Sequence, residues 1–292
     1  MSIAVIDHST LEPDLSPEDR AALREAVLTL ERPSFAARLS NFVGKPLELL
    51  GHALPAVVSD VVSRASERAL KSALAAALAS LREERPIAAS PALHKILAAT
   101  SGAVGGAFGL SALVVELPVS TTLMLRAIAS IAKEEGEKLG DPETALACLQ
   151  VFALGGQTGS DQLHESGYLA VRAALARSMT EAARYVAERS LIEESAPALV
   201  RFLAQIAARF GLVVSQKVAA QAVPVLGALG GAAANAAFMD HFQSIARAHF
   251  TVRRLERIYG AGKVRALYEA FRSELGAGAQ PPADKPSAVI PG

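Results

Sequence analysis

The chain has no tryptophan, four tyrosines, ten phenylalanines and a single cysteine in 292 residues. One cysteine excludes a disulfide scaffold, which needs pairs, and also a thiolate cage for a metal. Net charge is missing too, because 29 basic residues offset 29 acidic ones. A nucleic-acid binder needs a basic excess to displace counterions, so no nucleic-acid partner is expected. Intrinsic disorder is excluded as well. It requires low hydrophobicity with high net charge, and here 51% of the residues are hydrophobic. No stretch alternates apolar and polar residues as a half-buried strand does. Alanine fills the space the aromatics leave, with 59 residues. It is the best helix former, so the expectation is an all-α fold, a single large multi-helix bundle with long, Ala/Gly-rich central helices.

Helix starts recur at Ser16-Pro17, Ser90-Pro91, Asp141-Pro142 and Ser195-Ala196-Pro197. In each, a side-chain oxygen can take up a free N–H of the first turn, beside a proline that has none to leave unpaired. Helices are predicted near 17–30, 34–51, 55–84, 91–115, 118–139, 142–154, 166–189, 196–222, 225–258 and 262–274. In 196–222, Leu199, Phe202, Leu203, Ile206, Phe210 and Val213 form one apolar stripe. In 166–189, Tyr168, Val171, Leu175, Met179 and Val186 oppose a charged row of Arg177, Glu181, Arg184 and Glu188, read as a solvated face. Residues 1–33 read as an acidic arm and first helix, and 276–292, rich in Pro, Gly and Ala, as a disordered tail. The opening residues have no basic region, and their apolar stretch stops at Asp7, so no secretory signal is expected.

Two runs carry no charge, 96–115 between Lys95 and Glu116, and 218–239 between Lys217 and Asp240. Both reach the ~20 residues that span a bilayer. Their Gly102/Gly106, Gly105/Gly109 and Gly227/Gly231 spacings suit close helix packing. The same features suit central helices of a bundle, apolar all round because they are surrounded. Both readings stay open.

The search for chemistry is mostly negative. Gly109-Leu110-Ser111-Ala112-Leu113 lacks the last glycine of a nucleophile elbow. In Gly260-Ala261-Gly262-Lys263-Val264, Arg257 stands where a phosphate loop has its first glycine, and no hydroxyl follows the lysine. No cofactor and no metal site is implied. The remaining candidates are polar residues in apolar surroundings. Asp161 and His164 lie in a Gly-rich segment, where they could form a reactive pair or simply cap the next helix. His241 and His249 share a helix face and read as packed, hydrogen-bonded residues. Glu116 precedes Pro118 at a predicted junction of two helices, where a carboxylate suits the N-terminal end of the helix that follows. Arg126 lies on the following helix in a polar row with Ser130, Lys133 and Glu137, while Lys217, Gln221 and Asn235 lie in or beside the second run. Buried groups of this kind must find partners. A cluster of Lys217, Gln221 and Asn235 with Glu116 and Arg126 is one way to satisfy them. Cys148, amid Ala145, Leu149 and Phe152, reads as a structural thiol.

Three long segments resemble the EcsC protein family of bacteria. They are GAVGGAFGLSALVVELPVSTTLMLRAIASIAKEEGEKLGDPETALACLQVFALGG, then DQLHESGYLAVRAAL, then RFGLVVSQKVAAQAVPVLGALGGAAANAAFMDHFQSIARAHFTVRRLERIYG. The resemblance covers roughly residues 40–275 and places an EcsC-like helical domain at 34–275. It implies a helical protein without an assigned catalytic residue. The family's namesake is encoded beside the ATPase and permease of a transporter, which implies work near a membrane. The chain departs from the expected pattern at Lys138, where the family leads one to expect an acid, and this counts against a catalytic Glu137.

The leading expectation is a non-enzymatic protein of the cytoplasm, peripheral at the inner membrane face, acting on lipid or with a membrane protein complex. Arg247, Arg253, Arg254 and Arg257 are the candidates for contact with that surface. One alternative is a hydrolase-like enzyme on an apolar or lipid substrate. Another is an integral protein with two spans, which the flanking basic residues would orient with residues 116–217 outside.

Overall fold

Eight α-helices and no strand make up the described residues of this computed structural model, which are 14–31, 35, 56–83, 109–156, 167–188, 196–221 and 227–277. In chain order they are α1 (Pro17–Glu31), α2 (Ala56–Glu83), α3 (Gly109–Glu134), α4 (Pro142–Leu154), α5 (Tyr168–Glu188), α6 (Pro197–Gln221), α7 (Gly227–Tyr259) and α8 (Ala261–Ala277). The all-α expectation holds. Two predicted caps are in place. Ser16 Oγ accepts the Asp19 N–H at 3.1 Å, and Asp141 Oδ1 accepts the Glu143 N–H at 3.1 Å. The predicted caps at Ser90 and Ser195, the predicted helix 34–51 apart from Phe35, and the tail beyond Ala277 lie outside the described residues.

α2 lies against α3 and α6, α7 against α1, α3 and α8, and α4 touches α2, α3, α5, α6 and α7. α4 is therefore the enclosed helix, buried without a break from Thr144 to Leu154. The sequence pointed instead to the runs 96–115 and 218–239 as the central helices. Most of the first lies outside the described residues, and the second is divided between the end of α6 and the start of α7. A helix enclosed on all sides need not be long. α4 is 13 residues, and it is apolar on every face because neighbours stand on every face.

The break predicted at Pro118 is absent, since α3 runs through it as one helix. Proline removes one backbone donor and crowds the turn before it. Two hydroxyls bond back to carbonyls of this stretch, Thr122 Oγ1 to that of Pro118 at 2.9 Å and Ser120 Oγ to that of Leu117 at 3.1 Å, but neither reaches the Val114 carbonyl that the proline leaves without a donor. What carries the helix through is packing, by buried Leu113, Leu117, Met124, Leu125 and Ile128 on either side of the proline. α3 ends before Gly136, whose φ of 81° favours a residue without a Cβ.

The core gathers the scarce aromatics. Phe152, Phe210, Phe238 and Phe242 meet at centroid distances of 5.2–6.0 Å, and Phe35 joins Phe238 at 5.7 Å. Most of these pairs are edge-on or tilted, as the ring quadrupole favours. Each ring fully removed from water contributes about 1.5–3 kcal/mol. The predicted stripe of α6 is buried throughout, as is that of α5, whose opposite face carries the exposed Arg177–Glu181 pair at 3.0 Å.

Candidate functional site

Among the described residues, polar side chains of distant helices gather around interior ion pairs in three places. The first joins α3, α6 and α7. Lys217 is fully buried, and its Nζ meets Glu116 Oε1 at 2.9 Å and sits 4.9 Å from the centre of the Phe238 ring. Glu116 is thus a mid-helix residue holding a buried cation, rather than the mark of a helix start that its place before Pro118 suggested. Asn235 lies one turn before Phe238 on α7, with its Oδ1 buried and unbonded. The side chain of Gln221 lies outside the described residues.

The second place is the turn between α3 and α4, where α7 supplies three arginines. Arg253 grips Glu137 at 2.8 and 3.3 Å, Arg257 reaches the same carboxylate, and Thr144 Oγ1 donates to it at 3.0 Å. Burial alone would raise the Glu137 pKa, but the Arg253 hydrogen bond and charge, the Arg257 charge and the Thr144 hydroxyl outweigh it and hold the group below the ordinary carboxylate value. Arg254 bridges Glu135 at 2.8 Å and Asp19 of α1 at 2.9 Å. Tyr259 donates to the other Asp19 oxygen at 2.7 Å and is the largest influence lowering that carboxyl's pKa. Lys138 is exposed beside this network.

The third lies between α5, α7, α8 and the end of α1. Arg172 and Glu256 pair through two bonds of 2.7 and 3.0 Å. Arg172 also donates to the Tyr168 hydroxyl at 3.2 Å, and that hydroxyl is 2.9 Å from His249 Nδ1. Tyr168 is pushed up to about 12, chiefly by burial. His249 is held well below 6.5, first by burial and then by the Arg172 and Arg253 cations, so it is neutral in the fold. Its Nε2 is buried without a partner. Tyr268 stacks on Tyr168 at 5.3 Å and donates to Glu31 Oε1 at 2.6 Å.

Of the sequence candidates, the structure joins Glu116 to Lys217 and places Glu137 in the arginine network. His241 is separate from both, its Nε2 donating to the Gly155 carbonyl at 2.9 Å as a packed histidine would. Arg126 pairs with none of them. Its Nε and Nη1 are buried with no acceptor. Asp161 and His164 lie outside the described residues. Carboxylates hold Arg253, Arg254 and Arg257, whereas Arg247 is exposed in a shallow groove between α1 and α7 lined also by Glu25, Thr29 and Ser244. Cys148 is 2% exposed and pushed up to about 12 by burial, a structural thiol. No three His, Cys, Asp or Glu side chains converge on a metal-sized site among the described residues.

Sequence reasoning missed Arg172, Glu256, Glu135, Asp19, Glu31 and Tyr268 as polar contacts inside the fold. A signal existed for some of them. Arg253, Arg254 and Arg257 share a helix face, and a turn that brings Glu135 and Glu137 around Gly136 is its natural complement.

These features define a helical protein whose helices are tied by interior ion pairs. The chain belongs to the EcsC protein family, whose sequence model matches residues 20–255. That span starts earlier than the resemblance suggested, inside α1, and stops within α7. No curated protein and no solved structure matches the chain.

Proposed function

We propose that the protein is a non-enzymatic helical module that works at the cytoplasmic face of a membrane, bound to its surface. The observation that carries this reading is the outer face of α3. Val115 is 71% exposed, and Val119 and Thr122, on the same face, are only half-buried. From Gly109 to Leu125 the one charge on α3 is Glu116, which Lys217 neutralises. An exposed apolar stripe on an otherwise amphipathic helix suits insertion into the headgroup and acyl boundary, where such faces sink about 5–10 Å. The contact surface on this reading is α3 rather than the basic stretch of α7, most of whose arginines are held by carboxylates. Two segments, Leu113–Glu134 and Pro197–Ala219, are long and apolar enough to cross a bilayer by length and composition. They differ from the two charge-free runs. A crossing would strand the buried Lys217–Glu116 pair in lipid, where ionised groups are costly.

Fractionation of cells expressing the chain tests the reading. The protein is expected in the membrane pellet and released from it by alkaline carbonate. Release by detergent alone would establish true spans, and absence from the pellet would end the membrane reading.

A further inference from the structure

Arg126 is a half-buried basic residue of α3 with no partner among the described residues. It forms no ion pair with any described residue, and two of its donors, Nε and Nη1, are buried without an acceptor. A guanidinium cannot shed its charge, since its pKa exceeds 12. Each unsatisfied buried donor costs about 1–3 kcal/mol. Three other half-buried arginines do have carboxylates, namely Arg172 with Glu256, Arg253 with Glu137, and Arg254 with Glu135 and Asp19. Arg126 is unmatched among the described residues and only half-buried, so its guanidinium can take an acceptor from outside.

Its position says which. Eleven residues separate Arg126 from Val115, three turns of helix, so the two lie on one face with Val119 and Thr122 between them. That face is apolar up to Arg126 and polar beyond it, with Ser130 and Lys133 exposed. The change from apolar to cationic happens once along the helix and in one direction.

We infer that Arg126 binds the phosphate of an anionic lipid headgroup while Val115 and Val119 sit among the acyl chains beneath. The inference rests on the membrane reading above and adds the ligand and the residue that takes it. Val115 and Arg126 are about 16 Å apart along the helix axis. A helix entering obliquely with its first half lowest therefore places the arginine at headgroup level, a layer about 5–7 Å deep on each side of the hydrocarbon. An arginine at that boundary extends its stem along apolar surface and its head towards phosphate. Coupling a stripe to a cation in this way favours anionic over neutral surfaces.

Flotation with vesicles of phosphatidylcholine, with and without phosphatidylglycerol, tests this with the full chain. Wild type is expected to bind both, and the anionic vesicles more tightly. Arg126→Gln should lower affinity for the anionic vesicles about fivefold, the loss of one surface cation, and leave the neutral vesicles unchanged. Arg126→Lys, which keeps the charge, should stay close to wild type and shows that the glutamine variant's loss is not misfolding. Val115→Glu should weaken binding to both kinds. If Arg126→Gln binds anionic vesicles as wild type does while Val115→Glu fails, the lipid-phosphate role is overturned and the membrane reading stands. If wild type binds neither kind, both fall together.

Discussion

Lys217 carries its ammonium group into a place with no solvent, where Glu116 and the face of Phe238 meet it. The two partners lie on different helices, 101 residues apart in the chain. A buried ion pair of this kind contributes less than its attraction suggests, because both charges gave up water to form it. Removing one partner is a different matter, since it leaves the other charged and alone. Glu116→Ala should therefore cost about 3–5 kcal/mol, whereas the double change Glu116→Leu with Lys217→Met should recover most or all of it. Urea unfolding of the three proteins measures this, and a double variant no better than the single one would show that the site needs its charges. The pair was half legible. Both residues stand out as polar groups bordering apolar runs, but nothing in a sequence says which of several such residues meet.

At the scale of elements, local chemistry was readable and tertiary compensation was not. Ser16 and Asp141 announce the starts of α1 and α4 because a cap acts within three residues of itself. Pro118 announced an end that did not come, because packing against α2 and α7 holds α3 together across it. The enclosure of α4 was hidden for the same reason, since what surrounds a helix is not written in that helix. One consequence is measurable at the end of α4, where the chain leaves through Gly155 and Gly156. A Cβ on Gly156 would overlap the Arg209 carbonyl of α6, and backbone cannot swing aside as a side-chain tip can. Gly156→Ala should lower stability by about 1–3 kcal/mol, the range for overpacking. Gly140→Ala, which meets nothing within 4 Å, should be near neutral and serves as the control in thermal melts.

Across the whole molecule, the buried histidine and the paired carboxylates make stability depend on pH in two separate windows. His249 is neutral in the fold but takes up a proton near pH 6.5 once unfolded. Below that pH the unfolded chain binds the extra proton, so the contribution present above about pH 6.5 is lost as pH falls. From pH 7.5 to 5.5 the loss should be about 1.4 kcal/mol, and His249→Gln should flatten that slope whatever its effect on the baseline. Asp19 and Glu137, whose values are lowered in the fold from 3.8 and 4.5, contribute above those values and lose their part only at lower pH. Denaturation curves between pH 5.5 and 7.5 thus leave these carboxylates out, and the comparison with His249→Gln separates His249 from the other histidines. The same contacts set a timetable for synthesis. Asp19 of α1 closes on Arg254 and Tyr259, and Glu31 on Tyr268, across separations of 235, 240 and 237 residues. At about 5–20 residues per second, α1 leaves the ribosome on the order of 10–50 s before its partners exist. Throughout that interval the α7 and α8 faces that pack on α1 are missing, so Leu23, Val27 and Leu30 wait for them and α1 is made long before it can be locked.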